Sequence, residues 1–120
     1  MATKRLAGTC YIKVDGEQLE VSGGVEAPIN DSKREPVSSV TGVAGYKETT
    51  IVPYVKVTAI LVPGFPKAKL SSSDNMTITA EMANGDVYTL SGAWLANEAV
   101  HNAEDGTVEL EFNGTKGNWQ

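Results

Sequence analysis

Side chains in this sequence change from apolar to polar and back at every residue over long stretches, and almost nowhere repeat at a helical spacing. That period of two constrains the fold more than any other feature, because only a strand with one buried face sorts its side chains this way. The clearest case is the stretch 106–114, where Val108, Leu110 and Phe112 alternate with Thr107, Glu109 and Glu111 between Gly106 and Gly114. In the stretch 76–83, Met76, Ile78, Ala80 and Met82 alternate with Thr77, Thr79, Glu81 and Ala83. In 52–62, Val55, Val57, Ala59 and Leu61 oppose Tyr54, Lys56, Thr58 and Ile60 until Pro63-Gly64-Phe65-Pro66 ends the ladder. Turn residues punctuate these runs. Asp15-Gly16 predicts a hairpin between 9–14 and 17–22, and Asn84-Gly85 predicts another between 76–83 and 86–95. The stretch 102–106 supplies a further turn, and a single short helix is expected around Lys67–Ser73. The reading is a mainly β chain, an antiparallel sandwich or barrel-like domain with one short helix.

With 120 residues, 41% of them hydrophobic, the sequence supports one domain with one core. One piece resists the strand pattern. The stretch 22–42 holds Gly23, Gly24, Pro28 and Pro36, a charged cluster of Asp31, Lys33, Arg34 and Glu35, and no sustained period. It is expected as a long loop, of a length that in a small domain is functional or disordered. Val25, Ile29, Val37 and Val40 within it are more apolar than a free loop requires and call for a cover. Short flexible termini are expected at both ends.

Charge is unevenly placed. The net charge is -5; residues 1–60 carry seven Lys/Arg against seven Asp/Glu, whereas residues 61–120 carry three against eight. No Lys or Arg lies between Lys69 and Lys116. Tight binding to a phosphate backbone needs several cations in register, so nucleic-acid affinity is disfavoured there while contact without affinity is not. No apolar run approaches the roughly 20 residues that span a bilayer, and no apolar stretch follows the two cations of "MATKR"; the chain is expected to fold in the cytoplasm. The one cysteine, Cys10, is in step with Ile12 and Val14 and reads as a small buried hydrophobe.

Catalytic chemistry finds little footing. Glu109 and Glu111 would hold their carboxylates about 6.5–7 Å apart, but neighbours on one face of one strand cannot flank a scissile bond. A single histidine, His101, and a single cysteine exclude a multi-histidine or thiolate metal cage. Asp74, Asp86, Glu104 and Asp105 lack the ligand spacing of a calcium loop, Ser91, His101 and Asp105 lack a nucleophile elbow, and 114–117 lacks the P-loop spacing. No enzyme activity and no cofactor are expected. Tyr88, Trp94 and Trp119 are the candidates for a sugar-stacking platform, against the commoner use of a strand-end Trp as a plug for a core or interface.

Several stretches in order carry a resemblance: "GTCYIKVDG" near the start, "GVAGYKETTIVPYVKVTAI" in the middle, then "NGDVYTLSGAWL" and "NAEDGTVELEFNG". From about Gly8 to Gly114 the chain resembles the tail tube proteins of Mu-like contractile-tailed bacteriophages. The resemblance implies the phage tail-tube fold, and six copies joined edge to edge into rings that stack into the inner tube of a tail. It further implies a surrounding sheath, a baseplate, a tape-measure protein filling the bore and transient passage of DNA. The location implied is the virion tail, with assembly in the host cytoplasm. Tubes of type VI secretion systems share the architecture, so that alternative stays open, as does a monomeric carbohydrate-binding β-sandwich. On this reading Thr77, Thr79, Glu81, Thr107, Glu109 and Glu111 are expected to line a polar, negative lumen from which phosphates are repelled. Asn30, Asp31, Lys33, Arg34 and Glu35 of the 22–42 stretch are the expected ring-stacking residues.

Overall fold

The structure, a computed structural model, describes residues 10–120. The expectation of a flexible N-terminus therefore lies largely outside the described residues. Asp15 and Gly16, at φ 50° and 87°, make the two-residue turn between β1 (Tyr11–Val14) and β2 (Glu17–Leu19). Strand β3 (Val21–Glu26) follows, then β4 (Ser32–Ser39), β5 (Gly42–Thr50) and β6 (Tyr54–Ile60). The helix α1 (Lys67–Ser72) lies where the sequence placed it, entered through Pro66 and docked by the buried Leu70. So short a helix persists because that side chain packs, not through its own hydrogen bonds. Strands β7 (Met76–Glu81), β8 (Val87–Leu95), β9 (Thr107–Asn113) and β10 (Lys116–Trp119) complete the chain. The Asn84-Gly85 turn is longer than two residues. Met82 N–H donates to Asp86 O at 2.8 Å, and Gly85, at φ 99°, takes the left-handed position that ends a three-residue loop.

Eight of these strands form one antiparallel sheet, ordered β2-β1-β7-β8-β9-β6-β3, with β10 on the other side of β8. Strand β8 turns the corner between two layers. Its first half, Tyr88 to Ser91, is held between β7 and β10, while Trp94 and Leu95 pair with Asn113 and Phe112 of β9. The bend falls at Gly92, whose φ of 60° only glycine adopts without strain and whose missing side chain leaves room for that of Thr115. Thr115 is fixed there because its N–H and its hydroxyl both donate to Ser91 O, at 3.0 and 3.1 Å.

The two layers face each other across one core. Ile12, Val14, Ile78 and Leu90 enter it from the first layer and Val55, Val57, Leu110 and Phe112 from the second; Leu70 joins them from α1. The alternation read from the sequence is thus the alternation of burial along β6, β7 and β9. No polar or charged side chain is buried among the described residues, so burial of apolar surface dominates the cohesion of the layers.

The stretch 22–42 is not a long loop. It contains most of β3, which pairs with β6, and all of β4, which pairs along its whole length with β5. Two features hid them. Gly23 and Gly24 take positive φ inside β3 and shift its register, while β4 and β5 bury no face and so carry no hydrophobic period. Together β4 and β5 form a hairpin arm that pairs with no other strand among the described residues. The arm stretches the molecule to 61 × 42 × 27 Å and its radius of gyration to 17.3 Å. About 14 Å is usual for a chain of this length. The C-terminal residues expected as a loose tail are β10, clamped by a bond from Gln120 N–H to Val87 O and by Trp119.

Candidate functional site

The two outer faces of the sandwich differ in chemistry, and the six residues expected on one polar surface divide between them. Thr77, Thr79 and Glu81 project from the first layer, where Gln18, Lys13, Thr79, Thr89 and Asn118 form one row across five strands. Lys13 and Glu81 neutralise each other at 3.9 Å. Thr107, Glu109 and Glu111 project from the second layer, in the opposite direction because both layers turn their apolar faces to the same core. Strands β7 and β9 are separated by β8 and belong to different layers, so the alternation that located all six residues said nothing about which of them share a surface.

The second layer's face is acidic. Glu111 stands directly across from Lys56, which stands across from Glu26; Glu109 stands across from Thr58. Three carboxylates thus share this face with one ammonium, that of Lys56, whose Nζ lies 5.6 Å over the ring of Tyr54. Asn97 holds this face in shape. Beyond Leu95 the chain leaves the ladder, and the Asn97 carboxamide takes the place of a strand: its Nδ2 donates to Glu109 O and its Oδ1 accepts from Glu111 N–H, both at 3.0 Å. Sequence reasoning missed Asn97, since one asparagine in a polar stretch carries no period.

The arm is the second surface. Near its base Arg34 reaches Glu48 at 3.4 Å and lies 5.1 Å over the Tyr46 ring, while Lys33 and Lys47 both approach Glu35 on the other face. Of the expected stacking residues, Lys33, Arg34 and Glu35 are thus engaged with the arm's own charges; Asn30 Nδ2 donates to Ser32 O, and Asp31 O accepts from Ile51 N–H to close the base. The tip is different. From Pro36 to Tyr46 no residue is charged, and Val40, Val43 and Tyr46 are 105%, 73% and 59% exposed. A lone two-stranded hairpin is marginal in water, so an arm this bare is built for a cover. Of the four residues for which the sequence demanded one, Val25 packs against the core, whereas Ile29, Val37 and Val40 stay exposed among the described residues.

Among the described residues β2, β3 and β10 each pair with a strand on one side only, leaving backbone donors and acceptors open along three margins. A groove of about 850 Å³ runs between β3 and the β7–β8 turn, with Cys10, expected buried, half-exposed on its wall. A cleft of about 610 Å³ opens beside α1 over Leu70, Val108 and Leu110.

The other chemical candidates are dispersed. Tyr88 is buried with Trp119 tilted on it at 4.8 Å, and the Trp119 indole N–H donates to Pro28 O at 2.8 Å. Burial, then the negative charge of Asp31 and the nearby Tyr54, push the Tyr88 phenol above its ordinary pKa near 10. Trp94, on the β9 side of the β8 corner, shares no surface with that pair, so the three aromatics make no single platform. Among the described residues no three His, Cys, Asp or Glu side chains could hold a metal, and no helix is long and apolar enough to cross a membrane.

Comparison with known proteins agrees with this geometry. No curated protein matches the chain. The tube-terminating cap of the anti-feeding prophage superposes with a TM-score of 0.67 at 10% identity, over 100% of this chain and 94% of that one. The sheath/tube terminator of the extracellular contractile injection system PVC, in its extended state, gives 0.65 at 10% identity, over 100% and 97%. A chain of the extended PVC sheath–tube complex gives 0.62 at 12%, over 92% and 87%. At such identities the likeness establishes the fold, which all three share with this chain. The family is established by sequence: residues 3–119 match the model of the phage tail tube proteins, a structural and not a catalytic family, and the chain belongs to it.

Proposed function

We propose that this tail tube subunit assembles with five copies of itself into rings, and that the rings stack into the bore through which phage DNA is delivered. The observation that carries the reading is the state of the margins. The open edges of β2, β3 and β10 suit pairing with copies on either side, and the arm suits contact with a copy beyond the ring. Asn30, Asp31, Lys33, Arg34 and Glu35 shape and close the base of that stacking arm.

The bore is lined by the outer face of the second layer, with Thr107, Glu109 and Glu111 beside Lys56 and Glu26. Carboxylates in excess repel phosphates and offer DNA no cationic well in which to stall. Thr77, Thr79 and Glu81, which point the other way, face outward to a sheath. Tape-measure protein in the bore and a baseplate at one end complete the partners, in a virion tail assembled in host cytoplasm. A tube of a contractile injection device is the second reading, favoured by the kinship of fold with the anti-feeding prophage and PVC chains.

Negative-stain microscopy of the concentrated purified protein tests the proposal. Hollow rods built of six-membered rings are the expected result; a protein that stays monomeric at every concentration refutes it. DNA in tails carrying the subunit separates the phage reading from the injection device.

A further inference from the structure

We infer that the uncharged arm tip of one subunit seats in the cleft beside α1 of the subunit next along the tube. The inference rests on the tube reading and names the acceptor that the reading leaves open. Leu61, Phe65, Leu95 and Ala99, each partly exposed, wall the cleft above the buried Leu70 and Leu110, and Lys67 and His101 stand on its lining beside them. What it lacks is an apolar body to fill it. The chain carries one, since Val37, Val40, Val43 and Tyr46 project from an arm whose charges are already paired at its base.

The placement of the two features fixes how copies meet. Strand β6 runs from Tyr54, next to the arm's base, to Ile60, next to the cleft; Leu61 on the cleft wall is bonded through its N–H to Gly106 O. Projection and recess thus lie at opposite ends of a strand about 20 Å long. A protrusion at one end and a complementary hollow at the other make a head-to-tail contact that repeats without closing. The open edges of β2, β3 and β10 face sideways, across the strand direction, and are free to close the ring. Lateral and axial growth then use different surfaces of one subunit.

Cysteine pairing tests the seat. In the V40C/S71C variant one thiol sits at the tip and the other on the cleft's rim, both at exposed positions. Treatment of assembled rods with a short bis-maleimide is expected to give a ladder of covalent oligomers extending past six subunits. A product that stops at the dimer means a two-fold contact and overturns the proposal. The V40C single variant is a built-in competitor, because the native Cys10 lines the other groove; any product from it that the native protein, treated alike, does not give puts the tip elsewhere and overturns the proposal too. V40D/V43D, altering only exposed side chains, is expected to keep the melting temperature while shortening rods at least tenfold; rods of normal length count against the seat. Rods from the native protein with no ladder from V40C/S71C overturn the docking alone, whereas absence of native rods overturns the tube reading and the docking with it.

Discussion

Replacing Asn97 by alanine removes two hydrogen bonds at once, one to Glu109 O and one from Glu111 N–H, each 3.0 Å long. Neither group recovers a partner from the ladder, since β6 occupies the other edge of β9. A net value of about 0.5–1.5 kcal/mol per bond gives a loss of about 1–3 kcal/mol. A chain of this length unfolds with an entropy of about 250 cal/mol/K, so the melting temperature should fall by about 4–12 °C. N97D separates hydrogen bonding from charge. Its carboxylate still accepts from Glu111 N–H but cannot donate to Glu109 O, and it adds a negative charge between Glu109 and Glu111. Its loss should therefore shrink as salt rises from about 0.1 to 1 M and the screening length falls from about 10 to 3 Å. Circular dichroism melts at both salt concentrations measure this. An N97A melting point within 1 °C of the native protein, or an N97D deficit indifferent to salt, would show that Asn97 is not what holds the acidic face.

E109K/E111K should fold and assemble, because both side chains stand on an outer face, yet slow DNA delivery in tails that carry it; delivery at the native rate would remove the acidic face from the bore. Excising 32–50 and joining Asp31 to Ile51, whose backbones already bond at 3.1 Å, should leave monomer stability within about 1 kcal/mol while stopping growth at single rings; long rods from that protein would place stacking elsewhere. Stability should hold through neutral pH and fall above about 10, where the unfolded chain's phenols ionise and Tyr88, its folded pKa raised, still holds its proton. Y88F should lessen that fall in alkaline denaturation curves, and an unchanged fall would assign it to other groups.

How much of this was legible in the sequence depends on whether a residue had one buried neighbour or none. Strands β6, β7 and β9 alternate because each lies over the core, and their inward residues were read correctly down to Val55, Ile78 and Phe112. Strands β4 and β5 touch no core, so nothing in their sequence is obliged to alternate, and half of an exposed arm reads as loop. Strand β10 was missed because its hold is particular: a tilted Tyr88–Trp119 contact and one bond to Pro28 O leave no period behind. The candidate lumen residues suffered from a different limit. Alternation tells whether a side chain points in or out of its own strand, and only the corner at Gly92 decides that Glu81 and Glu111 leave the sandwich on opposite sides.

Charge placement ties the assembly surfaces together. Copies with a net charge of -5 repel one another, so contacts between them must form where no charge is exposed unpaired. The arm meets that condition by pairing Arg34 with Glu48 and both Lys33 and Lys47 with Glu35, leaving the tip neutral. The face carrying Glu26, Glu109 and Glu111 holds three carboxylates and one lysine, Lys56, and on the proposed reading it is the face past which a polyanion moves without adhering. Joining such subunits brings like charges together at apolar contacts. Added salt, which screens the repulsion over about 8 Å or less and leaves apolar burial intact, therefore works for assembly rather than against it. Tubes held by charge pairs between subunits would respond in the opposite sense and come apart as salt is raised.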